Sequence, residues 1–133
     1  MTEIKSQTVQ VSTAAEDLQV HLADLRNLGP LLPEDKVTGF AGTEEEVSFK
    51  IQGGLEIRLT RTADEFNQGV LRLQGGGAPF AFYLDLLVNA AENGASAAVV
   101  CEADLNVMMR MLAQKPLETL FRHITGQVEA KFG

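Results

Sequence analysis

Residues 104–121 read DLNVMMRMLAQKPLETLF, and the chain continues RHITGQVEAKFG to residue 133. On a helix turning roughly 100° per residue, Leu117, Leu120, Phe121, Ile124, Val128 and Phe132 share an arc of about 120°. A long helix with one apolar stripe has to bury that stripe against a second layer. Pro116 cannot donate to the Leu112 carbonyl, so the helix kinks there or starts afresh. Upstream, Met109, Leu112 and Ala113 are read as continuing the stripe, while Met111 points roughly the other way.

The second layer precedes the helix. From Val37 the apolar period changes from 3.6 to 2. Val47, Phe49 and Ile51 alternate with Ser48 and Lys50, and Leu55, Ile57 and Leu59 with Glu56, Arg58 and Thr60. Val70 to Leu73 forms a short run. Phe80, Phe82, Leu84, Leu86 and Val88 alternate through the longest one, then Ala97, Val99, Cys101, Ala103 and Leu105. Turn-like breaks separate the runs at Gly42-Thr43, Gly53-Gly54, Ala63-Asp64-Glu65, Gly75-Gly76-Gly77 and Asn93-Gly94. Asn-Gly is a strong hairpin signal, and short connections make neighbouring strands antiparallel.

Ahead of the sheet, Ile4 to Val11 reads as one extended strand. A helix follows, with Ser12 or Thr13 as N-cap, Glu16 completing a capping box, and Ala14, Leu18, Leu22 and Leu25 on one stripe. Gly29-Pro30 is expected to stop it, leaving room for a turn or a short second helix. The expected fold is α+β. A curved antiparallel sheet wraps a long C-terminal helix, with one or two short N-terminal helices, in a single domain over residues 1–133.

This order, with VSTAAEDLQVHLADLRNLGPLLPE (residues 11–34) after the first strand and DLNVMMRMLAQKPLETLF after the last, resembles the START-like superfamily, also called SRPBCC or helix-grip proteins. The likeness spans essentially the whole chain and is nearest in style to the small bacterial members. It implies about seven strands gripping the last helix, with a hydrophobic cavity for a lipid or another small apolar molecule. The superfamily also contains polyketide cyclases and hydrolase-type enzymes.

Composition narrows the functional classes. The net charge is −7, with eleven basic residues scattered and the acidic run Glu44-Glu45-Glu46. A polyanionic phosphate backbone or an anionic membrane surface is a poor partner for such a chain. The segment MTEIKSQTVQV lacks the apolar core of a secretory signal, and no apolar run approaches a membrane span. Cys101 is the single cysteine, so no internal disulfide forms, which fits a reducing compartment. A cytoplasmic location is expected, with no nucleic acid and no stable membrane insertion.

The motifs that invite sharper chemistry read better as structure. Met108, Met109 and Met111 could offer thioethers to Cu(I), but on a helix they do not share a face. Packing, a place at a cavity rim, and a Met111 contact with a partner or second subunit stay open, so a homodimer is one expectation. LQGGGAPF lies between two strand patterns, with no helix and no Lys-Ser or Lys-Thr after it, unlike a phosphate loop. His21 and His123 have no arranged nucleophile or carboxylate nearby in sequence. Cys101 reads as buried. Tyr83 and Asp85 alternate away from the Phe80–Val88 set, and Arg58 and Arg72 also face outward.

The leading reading is a non-catalytic binding or carrier protein for a small hydrophobic molecule, of lipid, isoprenoid or polyketide-like type. The expected cavity lining is Phe49, Ile57, Leu73, Phe82, Leu84, Val99, Met109, Leu112, Leu120 and Phe121. No catalytic residue, cofactor or metal is assigned. The alternatives are a cyclase or hydrolase-type enzyme, which needs an acid or base inside the cavity, and a structural or interaction protein with a filled interior.

Overall fold

The alternating runs build one sheet. A computed structural model of the chain describes residues 1–133. Strands β1 (Thr2–Lys5) and β2 (Val9–Val11) precede helix α1 (Ala15–Ala23) and a 3-10 helix (Leu25–Leu31). Strands β3 (Val37–Gly42), β4 (Glu46–Ile51), β5 (Leu55–Arg61), β6 (Val70–Gly76), β7 (Phe82–Ala91) and β8 (Gly94–Ala103) follow, and helix α2 (Val107–Phe132) closes the chain. The sheet order is β1-β8-β7-β6-β5-β4-β3, with β2 also on β8, so eight strands fill seven positions. Every pairing is antiparallel.

The period-2 pattern gives the sheet one apolar face. Phe49 lies opposite Ile57, Leu73 opposite Leu84, and Leu86 opposite Val99, all buried. Helix α2 lays Leu117, Leu120, Phe121, Ile124 and Val128 against that face. The result is one continuous core of 33 buried residues. Asn106 starts α2 by accepting the Met109 N–H at 2.8 Å. The helix runs through Pro116 as one element.

Local expectations change in five places. The first strand is broken at Ser6–Thr8. There the Ser6 hydroxyl accepts the Val99 N–H (2.9 Å), replacing a backbone partner while β1 and β2 stay on the same edge. Ser12 and Thr13 do not cap α1, whose N-cap is Ala14 without a side-chain bond. Their backbone N–H groups and hydroxyls instead all donate to the Phe132 carbonyl, at 3.0 to 3.3 Å. That carbonyl ends α2 and has no partner within its own helix, so a distant donor set wins over a local cap.

Helix α1 stops at Ala23, well before Gly29-Pro30. Asp24 has extended backbone and accepts the Arg26 N–H (3.1 Å), opening the 3-10 helix. Leu25, Leu28 and Leu31 recur every third residue and all are buried, the period of a 3-10 helix. Strand β7 starts at Phe82. Phe80 lies before it and packs its ring 5.7 Å from that of Phe82. Gly75 and Gly76 belong to β6 rather than to the following connection. A Cβ on Gly75 would collide with the Phe82 ring, so glycine is what lets that ring lie flat on the sheet.

Candidate ligand-binding site

The sheet and α2 meet around an all-apolar interior. It is lined by Leu28 and Leu32, by Phe49 from β4, Ile57 and Leu59 from β5, and Phe82, Leu84 and Leu86 from β7. Leu117, Leu120, Phe121 and Ile124 close it from α2. Its free volume is only about 20 Å³, room for roughly one water. A second void of about 20 Å³ lies among Leu22, Leu31, Val88, Val99, Thr125 and Val128. Thr125 is buried and donates back to the Phe121 carbonyl (3.1 Å), so its hydroxyl is satisfied within α2.

Six of the ten expected lining residues converge on the first void: Phe49, Ile57, Phe82, Leu84, Leu120 and Phe121. Val99 lines the second. Leu73 is fully buried in β6 but lines neither, and Met109 is half-buried at the edge of the core. Leu112 is a correction. It is 65% exposed, because it stands about 140° around the helix from the middle of the buried stripe. Val107, Met108, Met111 and Leu112 together form an exposed apolar face on the first turns of α2, while Met109 turns toward the core.

A more open pocket, about 300 Å³, adjoins this interior. Pro33, Lys36, Val37, Ile51 and Gln52 line it from the β3–β4 side, and Lys115, Pro116, Thr119 and Leu120 from α2. Leu120 faces both the pocket and the inner void and forms the partition between them. Sequence reasoning did not single out Lys36, Gln52, Lys115 or Thr119, because they are far apart in the chain and belong to no motif. The leucines of the 3-10 helix were legible only in its three-residue period.

Charged groups lie outside the apolar interior. On the outer face of the sheet Arg72 donates to both oxygens of Asp85 (2.9 and 3.0 Å) and to Glu102 (3.3 Å), with its guanidinium 4.7 Å over the Tyr83 ring. The hydrogen bonds that Arg72 donates to Asp85 hold its guanidinium above its ordinary pKa. Tyr83, Asp85, Arg58 and Arg72 therefore face away from the interior, as the alternation requires. Arg61 is nearly buried and donates to the Ala23 carbonyl (2.8 Å) at the end of α1. Cys101 is fully buried, and burial, then the charges of Asp85 and Glu102, push its thiol up to about 12. His21 packs edge-on to Phe132, with ring centres 5.1 Å apart. No three His, Cys, Asp or Glu side chains converge in a metal-binding arrangement.

A long helix held in a curved antiparallel meander, with an apolar interior between them, is the helix-grip architecture. Comparison with solved structures gives the same fold. The chain matches a START superfamily protein from Mycobacterium smegmatis with a TM-score of 0.66 at 15% identity, covering 96% of this chain and 97% of that one. It matches the XoxI protein of Bacillus cereus with a TM-score of 0.74 at 12% identity, over 99% and 96%. Norcoclaurine synthase of Thalictrum flavum, solved with dopamine and hydroxybenzaldehyde, matches with a TM-score of 0.63 at 13% identity, over 99% and 88%. No family model and no curated protein matches the chain. The chain has the START-like, SRPBCC fold. No helix is long and apolar enough to cross a membrane.

Proposed function

We propose that this chain is a non-catalytic binding or carrier protein for a small hydrophobic molecule, of lipid, isoprenoid or polyketide-like type. One observation carries the reading: a 300 Å³ surface pocket is separated by Leu120 from an interior whose twelve lining residues are all hydrophobic. Burial of apolar ligand surface there supplies roughly 25 cal/mol per Å² before ordering costs. The ligand enters at the pocket and displaces Leu120 and the rings of Phe82 and Phe121, enlarging the inner void. Acid–base chemistry needs a titratable group facing the ligand, and the inner lining has none. A cytoplasmic location, in keeping with one free buried cysteine, and a homodimer through the exposed face of α2 belong to the same proposal.

The small inner volume favours a second reading, an interaction protein whose interior is filled by its own side chains. Native mass spectrometry of protein purified without detergent, followed by organic extraction, separates the two. A reproducibly retained small molecule supports the carrier. Empty protein that also gains no thermal stability from a panel of hydrophobic compounds overturns it in favour of the filled interior.

A further inference from the structure

We infer that the ligand is an amphipathic anion, with its charged group held by Lys36 and Lys115 at the pocket mouth and its apolar body directed past Leu120. This rests on the binding reading above and adds the chemical class of the ligand.

The polar lining of the mouth points to negative charge. Its polar side chains are Lys36, Gln52, Lys115 and Thr119, every one able to donate a hydrogen bond, and no carboxylate lines the pocket. The two lysines come from opposite walls. Both are exposed, and neither takes part in an ion pair, a state they share with Lys50, Arg110, Arg122 and Lys131, none of which lines this pocket. Acidic residues outnumber basic ones 18 to 11 in this chain, and what sets these two lysines apart is that they line one pocket to which no carboxylate contributes.

The backbone positions both groups. The Lys36 N–H donates to the Pro33 carbonyl (3.1 Å), and the Lys36 carbonyl accepts the Gln52 N–H (2.7 Å), tying its segment to the end of β4. Lys115 sits within α2, beside Pro116 and five residues before Leu120. The only nearby acid on its own helix turn, Glu118, accepts from the Gln114 amide (3.2 Å). A neutral apolar ligand would leave the two ammonium groups unused, and a cationic one would be repelled. An anionic head group satisfies both while its body covers Val37, Ile51 and Leu120. Carboxylate and phosphate head groups share this chemistry.

Calorimetric titration with decanoate, decyl phosphate, decanol and decyltrimethylammonium, below their micelle concentrations, tests it. At low ionic strength the anions bind roughly tenfold tighter than decanol, the sum of two exposed charge pairs, and the cation binds more weakly than decanol. The better anion identifies the head group. Added salt removes most of the advantage. The double variant Lys36→Gln, Lys115→Gln binds the anions no better than decanol and leaves decanol binding unchanged. Both positions are exposed, so the fold tolerates the change. Equal binding of decanol and the anions, or a preference that survives in the double variant, overturns the anion assignment while the carrier reading stands. Binding of none of the four overturns both.

Discussion

Cys101 is the residue whose chemistry the fold changes most. In the unfolded chain its thiol ionises near 9.0, and in the fold near 12, because the thiolate cannot be solvated there. Between these values the unfolded chain has released a proton that the native protein keeps. Stability is therefore undiminished below pH 9 and falls as pH rises from 9 to 12, by about 1.4 kcal/mol per pH unit. Urea unfolding at pH 9 and pH 10 should show this loss in the parent relative to Cys101→Ala. An equal slope in both would mean the thiol is accessible in the native state. Leu112 and Leu117 make a second contrast, since the sequence offers both as apolar helix residues. Leu112→Gln, on the exposed side, should change stability by no more than about 0.5 kcal/mol. Leu117→Ala, buried against the sheet, should cost about 2–5 kcal/mol. Chemical denaturation of the pair reads both values.

At the scale of elements, the two ends of the fold are tied at one atom. The Phe132 carbonyl accepts from Ser12 and Thr13, so the last turn of α2 is held by the link between β2 and α1. Thr13→Ala removes one of these bonds and should cost about 1 kcal/mol, with faster amide exchange confined to the last turn of α2 and the first of α1. Exchange that rises instead throughout the sheet would show that the clamp stabilises the whole molecule. Ser12 and Thr13 show why this was not legible from sequence. A Ser-Thr pair ahead of a helix has the same local signature whether it caps that helix or another one 119 residues away. Helix α2 was legible because six apolar residues share one arc. The strands from β4 to β8 were legible because their period is 2 and one face is buried. The short second helix was expected after Gly29-Pro30 and lies instead at Leu25–Leu31, because Leu18, Leu22 and Leu25 also fit an α-helical stripe that Asp24 breaks.

For the whole molecule, the decisive quantity is interior volume. Phe121→Ala should cost about 3–5 kcal/mol and enlarge the void beneath α2. If the protein is a carrier, this variant should regain stability from a hydrophobic ligand by more than the parent does, because ring displacement is no longer needed. Thermal melts with and without decanol check this, and an equal shift in both would place binding outside the sheet–helix interior.

Periodicity determined the layers: which residues turn inward, how many strand positions there are, and that one long helix covers them. That information is local, since it depends only on the spacing of apolar residues along a helix or strand. Six of the ten residues expected to line the cavity meet there for this reason, and Leu112 does not because its angular position excludes it. The closeness of the packing, the partition at Leu120 and the meeting of Lys36 with Lys115 were decided only in three dimensions. Volume and charge apposition depend on how distant segments approach one another, and no spacing within a single element encodes that distance.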